Sequence, residues 1–350
     1  MNTPLDSTAH KAALRWLSAE YHDMNGSHFV TLDSPPSPVE FARLVQISRP
    51  VLINDHTVPG TDQWSNDYLS RTMGDRLVSV AVTPDGYADA VTRGPDGRLY
   101  FVEPHVQPMT IRSLLTRLAD NTDLSAQREA LYLQSQNGNL YSSAYFSQSE
   151  EELPELAPLR SDIPAEVPWC SEALGRQPDA VNLWIGGDQS VTSIHSDPYE
   201  NVYHVVRGCK VFTLLPPTEA WCLRERVYPH AKYTRESEGD PLVLTPTMPE
   251  NGEKATATVR WSSIRRPDRE DELPLEAHPI TVTVHTGQTL YLPAGWWHHV
   301  KQVGGTTIAF NWWYDVEGQG MNWVWLNFLR GPENAVPSGN EENEGVNEAN

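Results

Sequence analysis

The sequence is poor in cysteine. Its 350 residues hold three, Cys170, Cys209 and Cys222, and no two of them form a CxxC pair. An odd, sparse set cannot staple a small secreted fold and supplies no zinc-finger pattern. It suits a reducing compartment, so a cytoplasmic location is expected, with the nucleus open. Long apolar runs are missing as well. No stretch reaches the roughly 18 residues that mark a spanning helix, and the opening MNTPLDSTAHKAALRWLSAEYHD has no apolar centre of signal-peptide length. No membrane association is expected. Positive charge is scarce: 26 Lys and Arg face 46 Asp and Glu, for a formal net charge of −20. A nucleic-acid surface needs clustered Lys and Arg to displace counterions from phosphates. The one short basic run, RRPDR at 265–269, is too small for that, and direct nucleic-acid binding is excluded. There is no GxSxG, which argues against a serine hydrolase of the usual elbow type, and no internal repeat.

What the chain does have is proline, tryptophan and short β-branched runs. Its 28 Pro and 12 Trp argue against a mostly helical protein and for many turns. In the N-terminal part, Ala12, Leu14, Leu17 and Tyr21 recur at roughly helical spacing, predicting an amphipathic helix over 8–22. SPVEFARLVQ at 37–46 predicts a helix with Ser37 as N-cap, Pro38 at the first helical position and Glu40 completing a capping box. RPVLIND (49–55), RLVSVAV (76–82) and GPDGRLYFVEP (94–104) read as strands, and TIRSLLTRLAD (110–120) as a helix.

From about 181 the texture changes. VNLWI, SVTSIH, ENVYHVV, CKVFTLLPP, ITVTVH, TLYLPA and TTIAFNWWYD are seven short runs separated by Gly, Pro or polar turns. They predict a β-sandwich or barrel of the jelly-roll kind. A polar, Pro-rich insertion at about 224–278 interrupts them, and reads as a functional or mobile loop. GQGMNWVWLNFLR at 318–330 predicts a closing helix. Its Trp323, Trp325 and Phe328 are too apolar to be left bare, and they call for packing on the domain or on a second subunit. From 331 the chain is nearly devoid of apolar residues and is expected to be a disordered acidic tail.

HSDPYENVYHVV at 195–206 raises the chemical question. An imidazole and a carboxylate two residues apart in a strand point to the same face. YLPAGWWHHV at 291–300 places His298 and His299 after a second strand and a tight turn. Two histidines and a carboxylate on one face make the triad that holds Fe(II) in non-haem oxygenases and leaves open positions, although Mn, Zn or Ni could take the same ligands.

The order VNLWIGGDQSVTSIHSDPYENVYHVVRGCKVFTLLPP, LYLPAGWWHHV, IAFNWWYD resembles the JmjC-domain 2-oxoglutarate oxygenases of the cupin superfamily, in their small hydroxylase form. The resemblance covers most of 130–328. It implies a mainly β fold with helical additions, built on a double-stranded β-helix core. An α/β region over 1–130 would support a catalytic domain over 131–317, with the terminal helix behind it. It implies Fe(II) held by His195, Asp197 and His298, with His299 structural. Lys210 would pair with the distal carboxylate of 2-oxoglutarate, and Tyr132 and Thr192 would donate hydroxyl hydrogen bonds to it. Asn201 and Asn311 would line the metal-chelating end. The Trp pairs 296/297 and 312/313 would pack around the site. Ser196 and Pro198 depart from the relatives' residues without touching a ligand position, and the insertion diverges further. The implied activity is hydroxylation of a protein substrate, a lysine in a translation-associated GTPase of the developmentally regulated class, by a homodimeric enzyme. N-methyl-lysine demethylation and a non-catalytic metal-binding cupin are the alternatives.

Overall fold

The computed structural model describes residues 7–120, 129–134, 140–142, 155–247, 257–332 and 336–340. The architecture rests on two long strands, Tyr199–Leu215 and Trp297–Asp315, which run antiparallel beside each other along nearly their whole length. On one side, Tyr199–Leu215 pairs with Thr289–Leu292 and then with Ile280–His285. On the other, Trp297–Asp315 pairs first with Val191–His195 and then with Ala180–Gly186. Each long strand thus serves two successive neighbours, and the sheet closes on itself as the expected double-stranded β-helix.

The sequence reads ENVYHVV and CKVFTLLPP as two strands, whereas the structure makes them one. Gly208, at φ 79°, adopts the left-handed conformation a glycine tolerates and produces a bulge instead of a turn. The register shifts between Val205 and Cys209, opposite Gly304 and Gly305 at φ 93° and 85°. One extra residue in a strand moves every later side chain to the other face. Here Asn201, Tyr203 and Val205 face inward before the bulge, and Lys210, Phe212 and Leu214 face inward after it. On the partner strand His298, Val300 and Gln302 oppose the second set, while Ala309 and Asn311 oppose the first.

The inner core joins Tyr132, Trp184, Tyr203, Val205, Phe212, Val300, Ala309 and Trp313. A second core lies between the outer face of Ala180–Gly186 and the helices. Val181, Leu183 and Ile185 meet Phe41, Leu69, Met73, Ile111 and Leu114 there. These helices start where local chemistry dictates. Ser37 and Glu40 form the expected capping box on Pro38–Ile47, and Ser65 and Thr110 cap Asn66–Met73 and Ile111–Ala119. The first helix, Ser7–Asn25, buries Leu14 and Ser18, while Ala12 is exposed.

Two expectations change. The 224–278 insertion is not a bare loop. Glu225–Thr234, Val243–Pro246 and Thr258–Ser262 are strands, and the first pairs in parallel with Leu99–Glu103 from the N-terminal region. Alternating burial along this polar segment escapes notice because its apolar residues are few and widely spaced. Nor is the tail disordered throughout. Residues 336–340 lie against this second sheet: Ser338 bridges Val227, and Asn340 exchanges hydrogen bonds with the backbone of Leu99. The other tail residues, 333–335 and 341–350, lie outside the described set.

The insertion also holds the terminal helix, Met321–Arg330. The buried Glu225 carboxylate accepts hydrogen bonds from Arg260 at 2.6 Å and from Arg330 at 2.8 Å. Leu326 of the same helix packs over Gly295 so closely that a Cβ there would overlap it, and Gly295 has φ 77°. Gly295→Ala is therefore expected to lose about 2–3 kcal/mol from the left-handed conformation and the forced shift together. Thermal unfolding of the variant should begin several degrees below wild type, and an unchanged midpoint would contradict the packing.

Candidate active site

His195 and His298 oppose each other across the Val191–His195 and Trp297–Asp315 strands, with ring centroids 4.2 Å apart. Cross-strand neighbours in an antiparallel pair meet on one face. Asp197 does not sit in the strand as the sequence suggests. It lies two residues past its end, in the turn before Tyr199, and its backbone carbonyl accepts from the Gly295 N–H at 2.8 Å. That bond ties the segment carrying two candidate ligands to the turn preceding the third. Asp197 Oδ2 lies 3.6 Å from Nε2 of His195 and 3.6 Å from Nε2 of His298. All three candidate ligand atoms fall within 4.8 Å of one another.

The tautomers are set from behind. His195 Nδ1 lies 2.8 Å from the Ser193 carbonyl and His298 Nδ1 lies 3.0 Å from the Trp296 carbonyl. Each carbonyl can only accept, so each Nδ1 carries the proton and each Nε2 turns a lone pair toward the common point. Burial pushes His298 down to about 4, with His195 adding to the effect. Burial would also favour neutral His195 and a protonated Asp197. Their mutual attraction outweighs it, raising the imidazole and lowering the carboxyl. His298 is neutral, Asp197 is ionised, and the proton that Asp197 favours on His195 is the one a divalent cation would displace, so with both Nε2 atoms facing the common point the residues present fit such a cation. His299, one residue on, faces the other way. It is fully buried, burial pushes it down to about 4, and neither ring nitrogen has a hydrogen-bond partner among the described residues.

A cavity beside the triad is lined by Tyr132, Thr192, Asn201, His298 and Asn311, with Trp184 and Tyr203. Lys210 lies at its deep end, wholly buried. Its ammonium donates to the Tyr132 hydroxyl at 3.0 Å, 5.0 Å from that ring's centre and 5.8 Å from Tyr203's. No carboxylate is paired with it among the described residues, and burial pushes it down to about 7. A buried cation without a counter-ion is costly, so the deep end fits an anion. The Tyr132 hydroxyl is hydrogen-bonded with Thr192 and Tyr203, and burial raises it far above its ordinary value. Toward the metal end, Asn311 donates to Asn201 at 2.9 Å and accepts from the Trp184 indole at 2.8 Å. Six of the eight residues singled out from the sequence line this one cavity, His195 stands beside His298 at its edge, and Lys210 lies behind Tyr132.

Three further residues escaped the sequence reading. Tyr203 and Trp184 look like ordinary core aromatics in a strand, and only the inner-face register marks them. Trp261 belongs to the insertion. Its ring stacks on His195 at 5.8 Å and its N–H reaches the Ser193 hydroxyl at 3.1 Å. That hydroxyl also bonds the Asp89 carbonyl. The Asp89 carboxyl is raised to about 6 by burial and by Glu103, and stands near enough to His195 to feel its charge. Asp197 also lines a groove of about 200 Å³ on the other side, with Trp297, Trp323, Asn327 and Arg330 among its walls. Asp197 thus lines both the cavity that holds the inward polar residues and the groove beside the terminal helix.

Residues 36–320 match the family model of the cupin-like domain. The chain is 39% identical over 298 residues to the human "Bifunctional peptidase and (3S)-lysyl hydroxylase JMJD7", covering 82% of this chain and 84% of that protein. It is 36% identical over 322 residues to the Arabidopsis thaliana "Lysine-specific demethylase JMJ32", covering 87% and 86%. It is 32% identical over 318 residues to the Dictyostelium discoideum "JmjC domain-containing protein E", covering 84% and 86%. With a triad that could hold a metal beside a cavity backed by a buried lysine, on a fold of this kind, the chain belongs to the cupin-like JmjC oxygenase family.

Proposed function

We propose that the protein is an Fe(II)- and 2-oxoglutarate-dependent hydroxylase acting on lysine side chains of a protein substrate. The observation that carries this reading is the pairing of a two-histidine, one-carboxylate face with a buried Lys210 behind the same cavity that has no carboxylate partner among the described residues. His195, Asp197 and His298 would hold the metal on one side and leave its other positions free. Lys210 would hold the distal carboxylate of the cosubstrate, with Tyr132 and Thr192 orienting it by hydroxyl donation. Asn201 and Asn311, locked to each other, would flank the chelating end. When bound together with O₂, the metal and cosubstrate would supply oxidising chemistry that places one oxygen atom of O₂ in a substrate C–H bond, the other entering succinate as 2-oxoglutarate loses CO₂. The protein's share is orientation and exclusion of water, to which Trp184, Phe212, Val300 and Trp313 contribute apolar walls. A lysine target is supported by the likeness to a lysyl hydroxylase. A GTPase of the developmentally regulated class is the proposed source of that lysine.

The likeness to a demethylase favours a second reading. In it the same oxidation falls on an N-methyl carbon, and the product is lost as formaldehyde. Two peptides separate the readings, one with free lysine and one with methylated lysine. The proposed function expects a single added oxygen on the free lysine and no formaldehyde. Oxidation of the methylated peptide alone would transfer the assignment to demethylation. The prior step is checked by anaerobic addition of Fe(II) and 2-oxoglutarate. A visible chelate band is expected for wild type and its loss for His195→Ala, and absence of the band in a folded, metal-loaded wild type would end the oxygenase reading.

Lys210 yields a stability prediction of opposite sign to most buried substitutions. Its folded pKa, about 7, lies below the unfolded value of 10.5. Between these values the unfolded chain holds the extra proton, so the penalty present at lower pH is relieved as pH rises. Lys210→Met is expected to stabilise the cosubstrate-free protein at neutral pH by about 1–4 kcal/mol and to flatten the rise in stability from pH 7 to 10. It should also weaken 2-oxoglutarate binding by at least about 100-fold. Calorimetric melting across that range and a binding titration measure both effects.

We also propose that two copies associate through Met321–Arg330. Trp323, Trp325 and Phe328 there are 47%, 56% and 50% exposed, more apolar surface than a lone helix ordinarily leaves to water. Sedimentation at micromolar concentration should give a dimer for wild type and a monomer for Trp325→Glu, and a monomeric wild type would refute the association.

A further inference from the structure

Gln302 is 3% exposed, and neither Oε1 nor Nε2 has a hydrogen-bond partner among the described residues. Folded proteins rarely leave a buried amide unpaired at both ends. Its place in the barrel is specific. Gln302 opposes Lys210 directly across the two long strands, so the two side chains share the inner face. A Cβ at Gly186 would overlap both the Gln302 amide and the Tyr132 ring, which puts the amide against the tyrosine that receives the Lys210 ammonium. Thr307, opposite Gly186 in register and fully buried, also has a hydroxyl without a partner among the described residues. The deep end of the cavity therefore gathers an ammonium with one hydrogen-bond partner and an amide with none among the described residues.

A carboxylate can only accept hydrogen bonds, whereas an amide offers both donors and an acceptor. Lys210 has three N–H donors and gives one to Tyr132. We propose that Gln302 is a specificity-determining residue for the cosubstrate: its Nε2–H donates to the distal carboxylate, and its Oε1 accepts a second proton of Lys210. This rests on the 2-oxoglutarate reading above and goes beyond it. The amide would fix the direction of the ammonium and reward the second carboxylate of a 2-oxo dicarboxylate over a 2-oxo monoacid.

The test compares two ligands with the same chelating end, 2-oxoglutarate and 2-oxopentanoate, which lacks the distal carboxylate. Both are titrated calorimetrically into the full-length protein loaded with Mn(II), so the readout is binding and not turnover. Gln302→Met keeps length and removes both polar atoms. It should weaken 2-oxoglutarate about ten- to hundredfold, as expected for a hydrogen bond to a charged group, and leave 2-oxopentanoate unchanged. Gln302→Glu, with its like charge, should weaken 2-oxoglutarate further, again sparing the monoacid. Equal losses for both ligands would mean a merely structural residue and overturn the proposal, as would no loss for either, the result expected if ordered water satisfies the amide. Wild type that binds Mn(II) but neither ligand would overturn the cosubstrate reading together with this one.

Discussion

Everything at this site depends on how two strands pair. Tyr199–Leu215 and Trp297–Asp315 carry or adjoin the metal-ligand candidates, the buried Lys210 and the inward Asn201 and Asn311. In an unbroken strand Asn201 and Lys210, nine residues apart, would face opposite sides of the sheet. The bulge around Gly208, matched by Gly304 and Gly305, reverses the parity and turns both into one cavity. A side chain at Gly208 would meet Thr307, including its backbone, so the bulge needs glycine for space as well as for conformation.

The cavity is held in a state that the protein, taken alone, would not favour. Among the described residues a wholly buried ammonium has no carboxylate partner and a buried amide has no hydrogen-bond partner, and two imidazoles crowd one carboxylate oxygen. Each arrangement costs stability and each becomes favourable around a ligand of the opposite character. The tightly packed aromatic and aliphatic walls keep these groups from relaxing toward one another. Rigidity of this kind also holds the open face of the triad open.

The segments outside the barrel shape what reaches the metal. The insertion joins the N-terminal strands in a second sheet, brings Trp261 onto His195, and anchors Met321–Arg330 through Glu225. The terminal helix in turn covers Gly295 and walls the groove beside Asp197. The second sheet, the terminal helix and the groove beside Asp197 are thereby joined through Glu225, Arg260 and Arg330.

The division between sequence and tertiary structure follows the range of the interactions involved. Helix starts at Ser37 and Thr110, strand positions, the two-histidine motif segments and the chemistry they imply are local patterns, written in neighbouring residues and legible without coordinates. The insertion was not legible, because its first strand is anchored by a partner more than a hundred residues away, its other two strands pair onto that first one, and their apolar content is too low to show a period. Asp197 lies in a turn and not in the strand, because a backbone bond from Gly295 holds it there. Tyr203, Trp184, Trp261 and Gln302 are unremarkable by residue type and acquire meaning only from register and burial. The sequence by itself determined the fold class and the ligand types. Which side chains share a face, which polar groups are left unpaired and what covers the metal position were decided by long-range strand pairing, since a one-residue shift in register would turn each of them away from the cavity.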